Sequence, residues 1–231
     1  MDQAGLSGGL GSPRVHLRST ESTNTRAREL AAAGAPHGTL VTAREQSAGR
    51  GRQGRTWTAA PGRALLCSLI VREPPGLLPM AAGLAVAEAI GPQALLKWPN
   101  DVLVGGRKVA GILVEGRPQE GWAVLGIGVN VALRQEDFPP ELRDSAGTLG
   151  LDQQAIEPTL ARVLESLERW LAAEPPAVLA AVRERDALRG KRVRWSGGQG
   201  CAVGINQHGR LLVDTGTDRV ALGAGEVHLE P

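Results

Sequence analysis

The sequence predicts an α+β protein with a mixed β-sheet flanked by helices and a small β-barrel at its C-terminal end. Over residues 14–188, apolar runs typical of strands are interspersed with helical stretches, and apolar residues recur at helical spacing over 155–173. Over 189–231 the pattern changes to short alternating runs separated by glycine turns, which is typical of a small barrel. Residues 1–12 are rich in Gly and Ser, and we expect a flexible N-terminus over residues 1–13.

Periodicity and turn residues place each element of the larger domain. Ser22, Thr23 and Asn24 are expected to cap the first helix, and Gly105-Gly106 predicts a two-residue hairpin. The predicted elements are a strand at Arg14–Arg18, a helix at Thr25–Ala33, a strand at Thr39–Ala43, a long loop at 44–63, a strand at Ala64–Val71, a helix at Leu77–Ile90, strands at Leu95–Trp98, Val102–Val104, Val109–Glu115 and Trp122–Val131, and helices at 155–173 and 176–188.

Charge, cysteine content and hydropathy exclude several classes of protein. The net charge is only +2, and the excess lies in residues 44–63, which carry five arginines and one glutamate, so a general nucleic-acid binder is not indicated. Cys67 and Cys201 lie far apart and predict reduced thiols, and no metal-ligand spacing is present. The longest apolar run, 77–90, is shorter than the about 20 residues that a membrane span needs. We therefore expect a soluble, cytoplasmic protein with no membrane contact.

The long loop contains the string Gly-Arg-Gly-Arg-Gln-Gly at 49–54. It matches the dinucleotide fingerprint G-x-G-x-x-G, but Pro61 prevents the helix that this fingerprint requires. Alternating glycines and arginines instead favour an oxyanion site, because guanidinium groups bind carboxylate or phosphate bidentately and glycines let the backbone come close. Trp57 offers a surface for a flat ring such as adenine. The alternative is a solvated basic loop anchored by one tryptophan.

Polar side chains also stand at the ends of apolar strands. In Lys97-Trp98-Pro99-Asn100-Asp101 a lysine ends a buried strand, where an unpaired ammonium would be costly. Asp101 can pair with an arginine or help to hold Mg²⁺, whereas a turn flanked by surface charges is the alternative. Lys108, after the hairpin, can direct its charge into a pocket. Gly126–Asn130 fits close approach of a ligand to a strand, and simple strand packing explains these glycines equally well.

Taken in order, these segments resemble the biotin–protein ligase family. The strings Gly-Arg-Gly-Arg-x-Gly-Arg-x-Trp and Lys-Trp-Pro-Asn-Asp are the most specific of them. The resemblance spans residues 14–231 and implies a catalytic domain similar to class II aminoacyl-tRNA synthetases over 14–188 and an SH3-like barrel over 189–231. The matching segments are Ser22–Asn24, Gln46–Trp57, Lys97–Asp101, Arg107–Glu115 and Gly126–Asn130.

The resemblance implies roles for individual residues. Hydroxyl and amide side chains suit a buried urea, which needs both donors and acceptors. Trp57 is expected on the adenine, and Arg55 is expected to pair with Asp101 when the loop closes. The implied catalytic residues are Lys108 and Arg52; the biotin-binding residues are Ser22, Thr23, Asn24, Gln46, Gly49, Arg50, Gly51, Arg52, Lys108 and Gly111; those for ATP or the adenylate are Arg52, Arg55, Trp57, Lys97, Asn100, Asp101, Lys108 and Asn130.

The implied reaction is an ATP-dependent ligation. Biotin and ATP, with Mg²⁺, form biotinoyl-AMP, and a lysine of the biotin carboxyl carrier domain of acetyl-CoA or pyruvate carboxylase then receives the biotin. No metal ligands are assigned beyond the possible contribution of Asp101. Some members of the family carry an N-terminal DNA-binding domain, whereas about 13 residues precede the matched region here, so we expect the ligase-only type without DNA binding. A homodimer is left open, and the 44–58 loop is expected to be mobile without ligand.

Two other functions compete with this interpretation. A lipoate or octanoate ligase or transferase would share the catalytic fold, but its apolar substrate chain needs no urea-binding set. A non-catalytic nucleic-acid-binding module would use Arg50–Arg55 as a phosphate clamp. The barrel argues against that module, because it carries six basic and four acidic side chains and offers Trp195 as its one aromatic ring for base stacking.

Overall fold

The computed structural model describes residues 9–229, and its larger part is built on a seven-stranded mixed sheet. The strand order is β1-β2-β3-β7-β6-β5-β4, in which β1 and β2 are parallel and all other neighbours antiparallel. The α+β prediction is therefore confirmed. The elements are β1 Arg14–Leu17, α1 Thr23–Ala32, β2 Leu40–Ala43, β3 Leu65–Arg72, α2 Leu78–Ile90, β4 Leu95–Lys97, β5 Asp101–Val104, β6 Arg107–Arg117, β7 Trp122–Val129, α3 Ile156–Leu171 and α4 Pro175–Glu184.

Helices cover both faces of this sheet. On one face, α1 packs Ala27 and Ala31 against Val41 and Ile70. On the other face, α2 is enclosed by the sheet, α3 and α4, and an almost wholly apolar helix such as α2 is stable only when it is buried in this way. Because β3 has helices on both sides, nearly every one of its residues is buried, which explains its unbroken apolar sequence.

A second, five-stranded antiparallel sheet follows. Its order is β11-β10-β9-β8-β12, as expected for a small barrel-like unit, although no ladder within residues 9–229 joins the edge strands β11 and β12. Trp98 donates its indole N–H to the carbonyl of Gly209 at 3.0 Å, and buried Val193 and Leu211 belong to the same core as the first sheet. The two sheets therefore pack as one body. The strands are β8 Arg192–Trp195, β9 Gly198–Ile205, β10 Leu211–Asp214, β11 Arg219–Leu222 and β12 His228–Leu229.

Two predicted helix boundaries were wrong for tertiary reasons. Helix α1 begins at Thr23 rather than Thr25, and Ser22 at its N-cap makes no side-chain capping bond. Helix α4 ends at Glu184 rather than at residue 188, because the following residues hydrogen-bond to Leu96 of β4. The predicted hairpin is confirmed, since both glycines of the β5–β6 turn have positive φ, +57° and +79°.

The predicted flexible N-terminus lies only partly within the described residues. Within residues 9–13, Leu10 packs against the core and Gly11 donates its N–H to the carbonyl of Gly38 at 2.9 Å, so contacts with the sheet begin before β1. Residues 1–8 lie outside the described part. Within residues 9–229, no helix has the length and apolar character that a membrane crossing requires.

Candidate active site

A cavity of about 410 Å³ opens at the N-terminal end of α1, over the glycine-rich parts of β6 and β7. This size suits a small-molecule substrate. Its walls come from the arginine–glycine loop, Lys97–Asp101, the segment Phe138–Ala146 and residues 225–229 of the second sheet. Every residue that the sequence analysis assigned to biotin, ATP or catalysis lines this cavity, except Gly49.

One end of the cavity is polar and buried. Gln46 accepts hydrogen bonds at its Oε1 from the backbone N–H of Thr23 at 2.7 Å and from the Thr23 hydroxyl at 3.1 Å. A backbone N–H can only donate, so this contact determines which end of the Gln46 amide is oxygen and leaves its NH₂ group as a donor. Gln46 thereby takes over the capping role that the sequence had suggested for Ser22–Asn24.

Gly49 brings the loop against this polar end. A Cβ atom at Gly49 would lie 2.4 Å from the carbonyl oxygen of Trp57 and 2.8 Å from Nε2 of Gln46, both too close for any side chain. Gly49 also accepts a hydrogen bond from the backbone N–H of Trp57 at 2.9 Å. Gly49 therefore shapes the loop without lining the cavity.

Two side chains behind the cavity wall were not predicted as site residues. Ser68 of β3, fully buried, lies 2.6 Å from Oδ1 of Asn24 and 2.8 Å from Oγ1 of Thr23. Glu115 of β6 accepts a hydrogen bond from Nδ2 of Asn24 at 2.9 Å and pairs with Arg50 at 3.0 Å. A serine within an apolar strand and a carboxylate at the end of another were the available sequence signals.

The other end of the cavity is cationic. Nζ of Lys108 lies 2.6 Å from Oδ1 of Asp101 and 5.7 Å from the centroid of the Trp57 ring. Lys97 lines the same end, and burial lowers the pKa of its ammonium, an effect that Lys108 reinforces and Asp101 opposes. Two ammonium groups beside one carboxylate leave this end net positive, which suits an anionic reactant.

Arg52 and Asn100, both predicted to contact substrates, contact each other. Nη1 of Arg52 donates to Oδ1 of Asn100 at 2.9 Å, and Nδ2 of Asn100 donates to the carbonyl of Ile112 at 2.8 Å. Both ends of the Asn100 amide are thus used within the protein. We therefore expect Asn100 to position Arg52 rather than to bind the nucleotide itself.

The indole of Trp57 packs on two glycines, Gly111 of β6 and Gly128 of β7, that face each other across the two strands. A Cβ at Gly128 would come within 2.6 Å of the indole, and one at Gly111 within 2.9 Å. The indole N–H of Trp57 is buried and has no hydrogen-bond partner among residues 9–229. The glycines of both strands therefore provide the space for this ring.

Asn130 carries a buried acceptor without a partner. Its Nδ2 donates to the carbonyl of Gly147 at 2.8 Å, which orients the amide, and its Oδ1 is buried with no hydrogen-bond partner in the described part of the chain. An unsatisfied buried acceptor costs free energy, so such an atom suits a ligand N–H group. The amino group of adenine is a donor of this kind.

The predicted pairing of Arg55 with Asp101 is not what this structure shows. Arg55 pairs with Glu226 in the segment before β12, and Asp101 pairs with Lys108. The adjacent Gly225 also accepts a hydrogen bond from Arg52 at 3.3 Å. The second sheet therefore holds the arginine–glycine loop, a long-range contact that the loop sequence did not indicate.

The described residues form no metal site of their own. No group of three or more His, Cys, Asp or Glu side chains in residues 9–229 could hold an ion. Asp101 is a single carboxylate already paired with Lys108. Because Mg²⁺ in nucleotide sites is held largely by phosphates and water, one carboxylate can suffice, and the possible contribution of Asp101 stays a prediction.

The chain belongs to the family of biotin and lipoate protein ligases, as comparison with known proteins shows. The model of the Biotin/lipoate A/B protein ligase family matches residues 16–131. The chain is 38% identical over 230 residues to the biotin–[acetyl-CoA-carboxylase] ligase of Mycobacterium tuberculosis, covering 90% of this chain and 85% of that protein. It is 34% identical over 229 residues to the bifunctional ligase/repressor BirA of Bacillus subtilis, covering 89% of this chain and 70% of that protein.

A solved structure supports the same relationship. The biotin protein ligase from Aquifex aeolicus in complex with biotin and ATP is similar with a TM-score of 0.79 and 28% sequence identity, covering 95% of this chain and 99% of that one. The resemblance to biotin–protein ligases is thus confirmed over both sheets.

Proposed function

We propose that this protein is an ATP-dependent biotin–protein ligase. The observation that carries the proposal is one cavity with a neutral, hydrogen-bonding end at buried Thr23 and half-buried Gln46 and a cationic end at Lys97 and Lys108. Biotin has the matching ends, a neutral urea and a carboxylate. Relatives named as biotin ligases and a neighbour solved with biotin and ATP support the same substrates.

In the first step, a carboxylate oxygen of biotin forms a bond to the α-phosphorus of ATP, and the bond to the pyrophosphate oxygen breaks. Lys108 and Arg52 stabilise the charge that grows on the α-phosphate oxygens, and the glycine backbone of the loop lets both reactants come close. Trp57 stacks on the adenine, and Asn130 accepts a hydrogen bond from its amino group. Mg²⁺ bound with ATP would supply positive charge at the leaving pyrophosphate, and Asp101 is the carboxylate that would help to hold it.

In the second step, a carrier lysine attacks the acyl carbonyl of biotinoyl-AMP. AMP leaves with the bridging oxygen, the new amide forms, and the attacking amine loses a proton. Lys108 stabilises the negative charge on AMP. The pairs that Arg50, Arg52 and Arg55 make with Glu115, Asn100 and Glu226 hold the loop over the cavity and keep water from the anhydride.

The buried polar end favours biotin over lipoate or an octanoyl chain. An alkyl chain or a dithiolane ring would leave the Gln46 NH₂ group unpaired, and such a group costs roughly 1–3 kcal/mol when it is buried without a partner. We propose a biotin carboxyl carrier domain as the protein substrate, in line with the carboxylase-specific names of two relatives. A cytoplasmic location, the absence of DNA binding and the loop mobility stay predictions.

Exchange of labelled pyrophosphate into ATP tests the proposal. Exchange should depend on biotin and should be absent with lipoate or octanoate. Added ATP, biotin and a purified carrier domain should give a carrier whose mass increases by one biotinoyl group. Exchange supported by lipoate but not by biotin would refute the proposal.

A further inference from the structure

A continuous chain of polar side chains runs behind the cavity wall and ends at Glu115. It links Gln46 to Thr23, Thr23 to Ser68, Ser68 to Asn24 and Asn24 to Glu115, with successive distances of 3.1, 2.8, 2.6 and 2.9 Å. Neither Ser68 nor Glu115 lines the cavity. Both act on a bound molecule only through the side chains in front of them.

The direction of each hydrogen bond in this series of side chains follows from the acceptors at its Glu115 end. Glu115 and the carbonyl of Leu113 are both acceptors, so the group of Asn24 that faces them must be its NH₂. Oδ1 of Asn24 therefore faces Ser68 and accepts a hydrogen bond from its hydroxyl. A Cβ at Gly126 would lie 2.2 Å from this Oδ1, so the bare backbone of Gly126 holds the amide closely.

The same order determines what Thr23 offers to a ligand. Because the Ser68 hydroxyl donates to Asn24, the 2.8 Å contact between Ser68 and Thr23 is a hydrogen bond in which the Thr23 hydroxyl donates to the Ser68 oxygen. The oxygen of Thr23 then remains an acceptor, while Gln46, whose Oε1 is held by the backbone N–H of Thr23, presents its NH₂ as a donor. An acceptor beside a donor matches the N–H and C=O of a urea.

Glu115 uses its two oxygens for different segments of the protein. Oε2 holds Asn24, whereas Oε1 pairs with Arg50 of the loop at 3.0 Å and lies 4.0 Å from Arg28 of α1. The Glu115 side chain is 19% exposed and that of Arg50 46%. The Glu115 carboxylate thus connects the arginine–glycine loop to the polar end of the cavity.

We propose that Glu115 and Ser68 are positioning residues: Glu115 couples the placement of the Arg50 segment of the loop to the orientation of the urea-recognising side chains, and Ser68 transmits that orientation to Thr23. This inference rests on the proposed function. It predicts that loss of the Glu115 charge frees the loop and weakens biotin binding together, whereas loss of the Ser68 hydroxyl weakens biotin binding alone.

The test measures biotin affinity by calorimetry and the rate of tryptic cleavage after Arg52 and Arg55, two sites that every variant keeps, in the biotin-saturated protein. Glu115→Gln should raise the Kd for biotin about fivefold or more, as expected when a charged acceptor is replaced by a neutral one, and should accelerate cleavage. Ser68→Ala should raise the Kd by a similar factor and leave the cleavage rate unchanged. Glu88→Gln is the matched control, because Glu88 also pairs with an arginine but lies outside the cavity, and it should change neither.

Arg50→Gln keeps the inference testable if Glu115→Gln does not fold, because it alters an exposed side chain at the other end of the same pair. It should accelerate cleavage equally, and Glu115→Gln in the Arg50→Gln background should add no further acceleration. Wild-type affinity and cleavage in Glu115→Gln would overturn this inference and leave the proposed function standing. A wild-type cleavage rate in Arg50→Gln would have the same consequence. Failure of the wild-type protein to bind biotin would overturn the proposed function and this inference with it.

Discussion

Gly128 provides the sharpest test of how the site is built, because its missing side chain makes room for Trp57. A Cβ at this position would lie 2.6 and 2.7 Å from two carbons of the indole, whereas ordinary contact begins at 3.4 Å, so the ring must retreat by about 0.8 Å. The backbone at Gly128 needs no positive φ. Gly128→Ala should therefore move the tryptophan and leave the strand intact.

The substitution affects two separate quantities, the folding stability and the affinity for ATP. Replacing a strand glycine by alanine gains roughly 0.5–1 kcal/mol of folding free energy, which offsets part of the cost of displacing the indole, so the loss of melting temperature should be small. A base stacked on an aromatic side chain is worth about 1–3 kcal/mol, so losing the stack should weaken ATP binding about 5- to 150-fold. Biotin binding should change far less. Gly76→Ala, at a site with no atom within 4 Å of the added carbon, is the control.

The assay is a double-mutant cycle with Trp57→Ala, read by calorimetric binding of a non-hydrolysable ATP analogue and, separately, of biotin. If Gly128 acts by seating the indole, Gly128→Ala should have little effect once Trp57 is removed. The same loss of ATP affinity in both backgrounds would refute the role assigned to this glycine.

Three further predictions concern charge and burial. Lys108→Ala should fold normally but slow biotinoyl-AMP formation roughly 100- to 1,000-fold in single-turnover experiments, and Lys108→Arg should be only partly active. A near wild-type rate in Lys108→Ala would exclude the catalytic role of Lys108. Burial raises the pKa of the Cys67 thiol to about 12, so a thiol reagent should modify Cys201 alone in the native protein and both cysteines after denaturation; two fast-reacting native thiols would contradict this. The hydrogen bond from Arg14 lowers the pKa of Glu157 below its ordinary 4.5, so this pair stabilises the fold above that pH and is lost as the pH falls through the lowered value. The difference in melting temperature between wild type and Glu157→Gln should therefore shrink from pH 7 to pH 3, and a constant difference would count against the pair.

Local signals in the sequence were sufficient for most of the fold. The glycine pair of the β5–β6 turn, the apolar periodicity of α3 and the unbroken apolar run of β3 each express a constraint between near neighbours. The boundaries of α1 and α4 did not follow from such signals. Gln46 contacts the start of α1 from 23 residues away, and Leu96 binds the segment that follows α4.

The sequence by itself predicted the chemistry of the site. Guanidinium groups between glycines, a lysine that ends a strand and an asparagine after Gly126–Val129 favour oxyanion and nucleotide recognition, because charge and hydrogen-bonding capacity belong to the residue type. Only the tertiary structure decided how they work together. Arg55 pairs with Glu226 rather than Asp101, and Ser68 and Glu115 stand behind the cavity wall, because hydrogen bonds and ion pairs depend on the positions of atoms distant along the chain, and no local period encodes those positions.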